Sequence, residues 1–366
     1  MIYPIALTIK PTLNCNMRCR HCFNGHSLKQ TVICDSKTAC TFIDLAAKSY
    51  STIKITFHGG EPTLAGFRYY QEVFSHIHEL QENGIQFSFF FTTNGILLSG
   101  DLLQLLKEND VMFNVSFDGP FNDILRGRTK EVYDTIIKLQ QIKARFRIFC
   151  SICNPSYKKL KEIYQWFNER KIDFKIFPID PYGFAKENKE LLMNKSDFLY
   201  HLSIAYKYWI LDKDCQIKVG TFHEFAALRR KDQFKEYWFN REIALNPDGL
   251  IYPFGRPNDC NFPLGKPREI SSLEECFADP NYSKMKENIE GLWNEFCIPC
   301  PSNKVCHGVC MAMKYMYTSN KVDIRSSCNI SNGIFQTILS INESIKKKYL
   351  YSDLNPYAAK LLFEEA

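Results

Sequence analysis

Three thiols stand close together near the start of the chain, in Cys15-Asn16-Met17-Arg18-Cys19-Arg20-His21-Cys22. The spacing is Cys-x3-Cys-x2-Cys. A structural zinc site takes four ligands in a closed tetrahedral shell, and a 4Fe–4S cluster normally takes four cysteines. Three thiolates on one loop leave one iron of a cubane without a protein ligand, and an open iron can bind and activate a small molecule. Two other readings remain for the same residues: a zinc loop completed by His21 or His26, or three unconnected thiols. A second group lies near the end of the chain, Cys297-x2-Cys300-x5-Cys306-x3-Cys310, with Cys328 after a gap. Taken alone, it suits a zinc ribbon as well as an iron–sulfur cluster.

Fifteen cysteines in 366 residues are a poor fit to a disulfide framework. The chain is long enough to bury a core without staples, and clustered thiols in a reducing compartment indicate metal or redox chemistry. The net charge of +6 is spread along the chain. It permits an acidic peptide partner and does not call for nucleic acid. No apolar run approaches the roughly 18 residues of a membrane span, and residues 1–10 lack the parts of a signal peptide. A cytoplasmic protein with no membrane partner is expected. With 45% apolar and 23% charged residues, the composition is that of an ordinary globular protein.

The elements that must carry these thiols alternate. Strands are expected at Ile5–Ile9, Ile53–Phe57, Gln86–Thr92, Val111–Phe117, Arg145–Ile152 and Phe174–Ile179. Amphipathic helices are expected between them, at Lys37–Lys48, Phe67–Asn83, Leu97–Glu108, Glu131–Lys143 and Lys158–Glu169. Strand–helix repetition predicts a parallel α/β sheet, either doubly wound or closed into a full or partial barrel. The pattern changes after about Asp180. Helices are expected at Asn194–Leu211, Thr221–Tyr237 and Ile334–Tyr349, and a hairpin at Ala244–Pro253 turning on Asn246-Pro247-Asp248-Gly249. From Cys260 to Cys328 apolar runs are few, so this stretch is expected to bury little and to need metal to fold.

The first cysteine group follows the first strand, and there the sequence resembles the radical S-adenosylmethionine (SAM) superfamily. The resemblance implies a partial (β/α)6 TIM-like barrel over residues 1–215, a small Cys-rich iron–sulfur domain over 216–335, and a C-terminal helix or tail over 336–366. It implies a 4Fe–4S cluster on Cys15, Cys19 and Cys22 whose open iron chelates SAM. One electron then cleaves SAM to a 5′-deoxyadenosyl radical that abstracts a substrate hydrogen. His58-Gly59-Gly60-Glu61-Pro62, at the end of the second strand, looks like the family's Gly-Gly-Glu-Pro motif. Gly59 and Gly60 would let backbone approach the ligand, and Glu61 would hold the SAM amino group. Thr93 and Asn94 after the third strand, and Ser116 and Asp118 at the fourth, resemble positions that bind the ribose and methionine parts. Arg128 resembles the arginine that pairs with the SAM carboxylate. Each of these strand ends also reads as ordinary turn chemistry.

The order of spacings in the second group resembles the SPASM domain of peptide-modifying radical SAM enzymes. It implies one auxiliary 4Fe–4S cluster on Cys297, Cys300, Cys306 and Cys328. A full SPASM domain holds a second auxiliary cluster with a ligand in a Tyr-Pro-Cys context. Here the hairpin ends Tyr252-Pro253-Phe254, so that thiol is missing. Cys310 resembles another ligand of the lost site. Cys260, Cys276 and Cys310 are expected as free or buried thiols, with a three-thiol cluster as the alternative. Cys34, Cys40, Cys150, Cys153 and Cys215 are expected in the core.

The widest resemblance is to the anaerobic sulfatase-maturing enzymes, which use an aspartate after the Tyr-Pro-Cys thiol as base. Here Gly255 stands there. The expected function is therefore oxidative crosslinking of a ribosomally made precursor peptide, with an external one-electron donor. The leader would bind this chain's own surface or be delivered by another protein, since Cys15 comes too early for a preceding recognition domain. Sulfatase-maturase-like oxidation of a protein, radical dehydrogenation of a small alcohol or sugar, and a non-enzymatic zinc module are the alternatives. The general acid or base is not legible.

Overall fold

The computed structural model describes residues 4–29, 31–227, 241–255, 262–301, 303 and 321–364, without the side chains of 321–332 and 364. The chain divides into two compact units. The first comprises Met1–Ser116, Arg128–Phe146 and Glu236–Ile289, and the second Phe117–Gly127, Arg147–Lys235 and Glu290–Ala366.

In the first unit, strands β1 (Ile5–Ile9), β2 (Thr52–Phe57), β3 (Gln86–Thr93) and β4 (Met112–Ser116) are parallel neighbours in sequence order. Their odd-numbered residues are apolar and shut away from water: Ile5, Leu7 and Ile9, then Ile53, Ile55 and Phe57, then Phe89 and Phe91, then Phe113 and Val115. A strand alternates its side chains between two faces, so these residues form one face, against helices α1 (Ser36–Ala47), α2 (Gly66–Glu82) and α3 (Gly100–Glu108). Phe57 meets Tyr70 and Phe74 of α2 at centroid distances of 5.3 and 5.9 Å. Each such fully buried phenylalanine contributes about 1.5–3 kcal/mol. The even-numbered residues, among them Thr8, Thr56, Phe90, Thr92 and Asn114, lie on the opposite face. Ile9, Phe57 and Phe91 are in register. The loops that follow β1, β2 and β3 therefore leave the sheet at one level.

The expected hairpin is present. Strands β7 (Glu242–Leu245) and β8 (Ile251–Tyr252) pair antiparallel, with Gly249 at φ +78° in the turn. Sequence periodicity did not disclose that β7 also pairs parallel with β1, Ala6 to Glu242 through Ile9 to Leu245. The stretch after Cys260 departs from expectation. Helices α8 (Leu273–Ala278) and α9 (Pro280–Leu292) bury Leu273, Cys276, Tyr282, Met285 and Ile289. Their spacing of three and four is a helical stripe, interrupted by enough charge that no apolar run shows.

In the second unit, β5 (Phe146–Ile152) and β6 (Phe174–Pro178) pair parallel. Helix α4 (Thr129–Gln141), in the first unit, precedes them in the chain. Helices α5 (Leu160–Glu169), α6 (Lys195–Leu211), α7 (Gly220–Ala226) and α10 (Lys321–Lys348) follow. The helix expected at Thr221–Tyr237 is described only through α7, since residues 228–240 lie outside the described set. Helix α10 starts well before the expected Ile334. Cys150, Cys153 and Cys215 are buried here, and Cys34 is buried in the first unit, as core thiols should be; Cys40 is half-buried. Asn342 of α10 accepts from the Tyr206 hydroxyl at 2.7 Å and donates to the Phe225 carbonyl at 3.0 Å. Among the described residues no helix is long and apolar enough to cross a membrane.

Asn342→Leu keeps the size of that side chain and strands both buried partners. The expected loss is about 2–4 kcal/mol, read from urea denaturation under anaerobic conditions. A change below about 0.5 kcal/mol, the range of an ordinary surface substitution, would mean that this bond does not dock α10.

Candidate functional site

The loop after β1 has no regular secondary structure and is held by its own polar groups. The Thr12 hydroxyl donates to the Val32 carbonyl at 2.8 Å and accepts from Asn14 N at 3.1 Å. Asn14 Oδ1 accepts from Cys15 N at 2.9 Å. Cys22 N donates to Cys19 O, and Gly25 N to Cys22 O, each at 3.1 Å. Cys15, Cys19 and Cys22 are all half-buried. Burial pushes the Cys15 thiol up to about 12, against the Met17 N–H that lies 3.4 Å from the sulfur. The thiol stands here for the thiolate that would ligate iron.

Gly59 and Gly60 press directly on this loop. Gly60 N donates to Thr12 O at 3.0 Å and Glu61 N to Asn14 O at 2.8 Å. A Cβ on Gly59, at φ +125°, would stand 2.2 Å from Thr12 O. One on Gly60 would stand 2.2 Å from Asn14 O and 2.3 Å from Leu13 O. These glycines thus approach the cysteine loop's own backbone closely. Asn24 at the loop's far end donates to Gly59 O at 2.9 Å.

Glu61 is wholly buried. Its Oε1 accepts from Thr63 N at 3.1 Å, Thr63 Oγ1 at 2.7 Å and Thr93 Oγ1 at 2.8 Å, and its Oε2 from Asn94 N at 2.7 Å. Burial raises its pKa while these four donors pull the other way. The carboxylate joins the end of β2 to the end of β3. Asn94 then reaches the first cysteine. Its Nδ2 donates to Asn16 Oδ1 at 2.7 Å and lies 3.7 Å from Cys15 Sγ, while its Oδ1 accepts from Ile96 N at 3.1 Å. Cys15, Gly59, Gly60, Glu61, Thr93 and Asn94 therefore form one connected site in the first unit. Ser116 ends β4 of the same unit, half-buried.

The other two expected residues have side-chain partners of their own. Asp118 belongs to the second unit. It pairs with Arg126 at 2.8 Å and accepts from Ser151 N at 2.7 Å, and Arg126 also donates to Ser151 Oγ at 2.7 Å. Burial raises the Asp118 pKa against the pull of Arg126. Arg128 caps α4 in a left-handed conformation and grips Glu131 through two bonds of 2.6 Å at the surface. The arginine of this segment that pairs with Asp118 is the half-buried Arg126, which sequence reasoning passed over. Asn14, Asn16, Asn24 and Thr63 were passed over as well, although Asn16 lies inside the cysteine spacing.

In the second unit, Cys297 is buried at the end of the π-helical turn Trp293–Cys297, and Cys300 N donates to Cys297 O at 3.1 Å. Cys306, Cys310 and Cys260 lie outside the described residues, as does the side chain of Cys328. In the first unit Cys276 is a buried core residue, its thiol pushed up to about 12 by burial. Phe254 is buried, and a Cβ on Gly255 would stand 2.8 Å from Thr8 Oγ1 and 3.0 Å from Glu242 Oε1. A side chain at position 255 would need the Thr8 and Glu242 side chains to shift.

Among the described residues no three His, Cys, Asp or Glu side chains converge as ligands of one ion. A cubane does not ask for that, because its thiolates bind separate irons. The loop fits such a group on another count. Asn16, next to Cys15 in the chain, turns its Oδ1 to the Cys15 sulfur at 3.9 Å and leaves its Nδ2 buried with no hydrogen-bond partner, as a donor waiting on an acceptor would be.

Residues 9–147 match the Radical SAM superfamily. The chain is similar to the cysteine-type anaerobic sulfatase-maturating enzyme of Clostridium novyi (strain NT), with 22% identity over 95% of this chain and 98% of that protein. Its structure is similar to native anSMEcpe with bound AdoMet, with a TM-score of 0.77 and 18% identity over 94% of this chain and 100% of that one. It is also similar to Streptococcus suis SuiB bound to precursor peptide SuiA, with a TM-score of 0.60 and 19% identity over 87% and 76% of the two chains. The fold is thus the mostly parallel α/β arrangement of these proteins, consistent with the partial TIM-like barrel expected from the sequence.

Gly60→Ala tests the seating of the loop. Its methyl group would meet backbone oxygens that cannot swing away, so a loss of at least about 2 kcal/mol is expected, with reduced iron uptake on reconstitution. Gly291→Ala, where nothing lies within 4 Å of the added carbon, should be neutral or stabilise by up to about 1 kcal/mol. Equal stability of wild type and Gly60→Ala would refute the close-contact account.

Proposed function

We propose, on the premise that this chain is a radical SAM enzyme working with a 4Fe–4S cluster and SAM, that it matures a ribosomally made peptide by installing an oxidative crosslink, a thioether or a carbon–carbon bond. The observation that carries the substrate class is the likeness along nearly the whole chain to a maturase that acts on another protein, joined to a fold shared with a peptide-bound enzyme. The departure at Phe254 and Gly255 turns the reading away from sulfatase maturation itself. A side chain at position 255 would have to displace the side chains of Thr8 and Glu242.

In this reading Cys15, Cys19 and Cys22 hold the SAM-binding cluster, and Cys297, Cys300, Cys306 and Cys328 hold one auxiliary cluster. When bound, the cluster would supply the electron that cleaves SAM and SAM the radical that takes one hydrogen from the peptide; the electron left after bond formation would pass to the auxiliary cluster and the second proton to solvent. The chain's own residues position and enclose. Gly59 and Gly60 seat the cysteine loop, and Glu61 and Thr93 lock the neighbouring strand ends. Asn94 reaches from β3 to Cys15. Ser116 and Arg128 of the first unit remain proposed contacts to SAM, Ser116 to its ribose and methionine parts and Arg128 to its carboxylate. The electron comes from an external one-electron donor. A cytoplasmic setting, where thiols stay reduced, belongs to the same reading.

Anaerobic reconstitution tests the cofactor assignment. About eight irons per chain are expected for two cubanes. About four, with no 5′-deoxyadenosine formed under dithionite, are expected for Cys15→Ala/Cys19→Ala/Cys22→Ala. About twelve irons would mean that Cys260, Cys276 and Cys310 hold a further cluster, and zinc in place of iron would end the radical reading. Loss of two hydrogen atoms from a candidate precursor peptide, seen by mass spectrometry, tests the substrate class. Turnover of a small alcohol or sugar with peptides left unchanged would overturn it.

A further inference from the structure

The amide of Asn16 is satisfied on one side only. Its Oδ1 accepts from Asn94 Nδ2 at 2.7 Å and lies 3.9 Å from Cys15 Sγ, while its own Nδ2 is buried without a partner. Leaving a buried donor unpaired costs about 1–3 kcal/mol, so such an atom marks a place where an acceptor is missing.

The orientation of this amide follows from its neighbours. Asn94 Oδ1 is held by the backbone N–H of Ile96 at 3.1 Å. Asn94 must then turn its NH2 group toward Asn16, which turns the Asn16 oxygen toward Asn94 and the Asn16 NH2 away. Reversing either amide would oppose two acceptors or two donors. The same NH2 group of Asn94 lies 3.7 Å from Cys15 Sγ, which the Met17 N–H also approaches at 3.4 Å. The Asn94 backbone is fixed in turn by Glu61 Oε2 at 2.7 Å.

We propose that Asn16 and Asn94 form an amide relay that donates hydrogen bonds to the sulfur atoms of the SAM-site cluster and sets its reduction potential. Asn94 serves the Cys15 thiolate, and Asn16 Nδ2 serves a cluster sulfide. The proposal rests on the reading that Cys15, Cys19 and Cys22 hold that cluster. Both asparagines act as positioning residues: they touch the ligand sphere and take no part in bond making. A hydrogen bond to sulfur favours the reduced, more negative cluster, so removing one lowers the potential.

The test is an EPR-monitored redox titration of the reconstituted holoenzyme without SAM. The SAM-site signal is identified as the one that changes when SAM is added. Asn16→Ala should lower its midpoint, so that at the wild-type midpoint the ratio of reduced to oxidised cluster falls about tenfold, equivalent to about 1.4 kcal/mol. Asn16→Asp, which keeps the acceptor for Asn94 and sets an oxygen in place of the donor, should lower it further. Asn94→Ala should lower it as well. EPR reads only loaded cluster, so a variant that takes up less iron still reports its potential. Unchanged midpoints in Asn16→Ala and Asn16→Asp would overturn the proposal. So would a loss of SAM affinity with the midpoint unmoved, since the Asn16 donor would then serve SAM. Persistence of the SAM-sensitive signal in Cys15→Ala/Cys19→Ala/Cys22→Ala would instead defeat the cofactor reading on which the proposal rests.

Discussion

One buried carboxylate gathers the first unit's site. Glu61 has no contact with water, and four donors from two segments converge on its two oxygens. Removing a charge from water is costly unless hydrogen bonds replace the lost solvation. Here they do, and the replacement has a geometric consequence. Thr93 and Asn94 at the end of β3 must come to the end of β2, and that brings the Asn94 side chain to Asn16 and Cys15.

The glycines make the same point by contact. Gly59 and Gly60 lie against the carbonyls of Thr12, Leu13 and Asn14 so closely that a methyl group cannot enter. Backbone rests on backbone there, and the cysteine loop takes its shape from the strand beside it. The apolar face of the sheet, led by Phe57 and Phe91 against Tyr70 and Phe74, supplies the rigidity. The opposite face stays polar enough to serve chemistry. A loop without secondary structure can hold ligands accurately only when the elements around it are stiff.

The C-terminal half shows where composition misleads. A stretch rich in Cys, Pro and Asn suggested little burial, yet Tyr282, Met285 and Ile289 build a helical stripe within it. At the hairpin, Gly255 meets Thr8 of β1 and Glu242 of β7, so its smallness answers to a sheet pairing far away in the chain. The lone sequence showed an absent aspartate; the fold shows which side chains crowd that position.

What the sequence determined by itself is local and periodic. The alternation of apolar residues set the six strands between helices to within a few positions, because a strand hides every second side chain and a helix every third or fourth. The spacing of Cys15, Cys19 and Cys22 pointed to the superfamily that residues 9–147 match, because the number of thiols on a loop is written in residue type. Tertiary structure decided which polar group answers which. Arg126 and Arg128 are equivalent on paper, yet one pairs with Asp118 and the other with Glu131 at the surface. Asn16 and Asn94, 78 residues apart, meet only because β1, β2 and β3 end in register. Hydrogen-bond partners are chosen by distance and angle in space, and a single sequence carries no record of either.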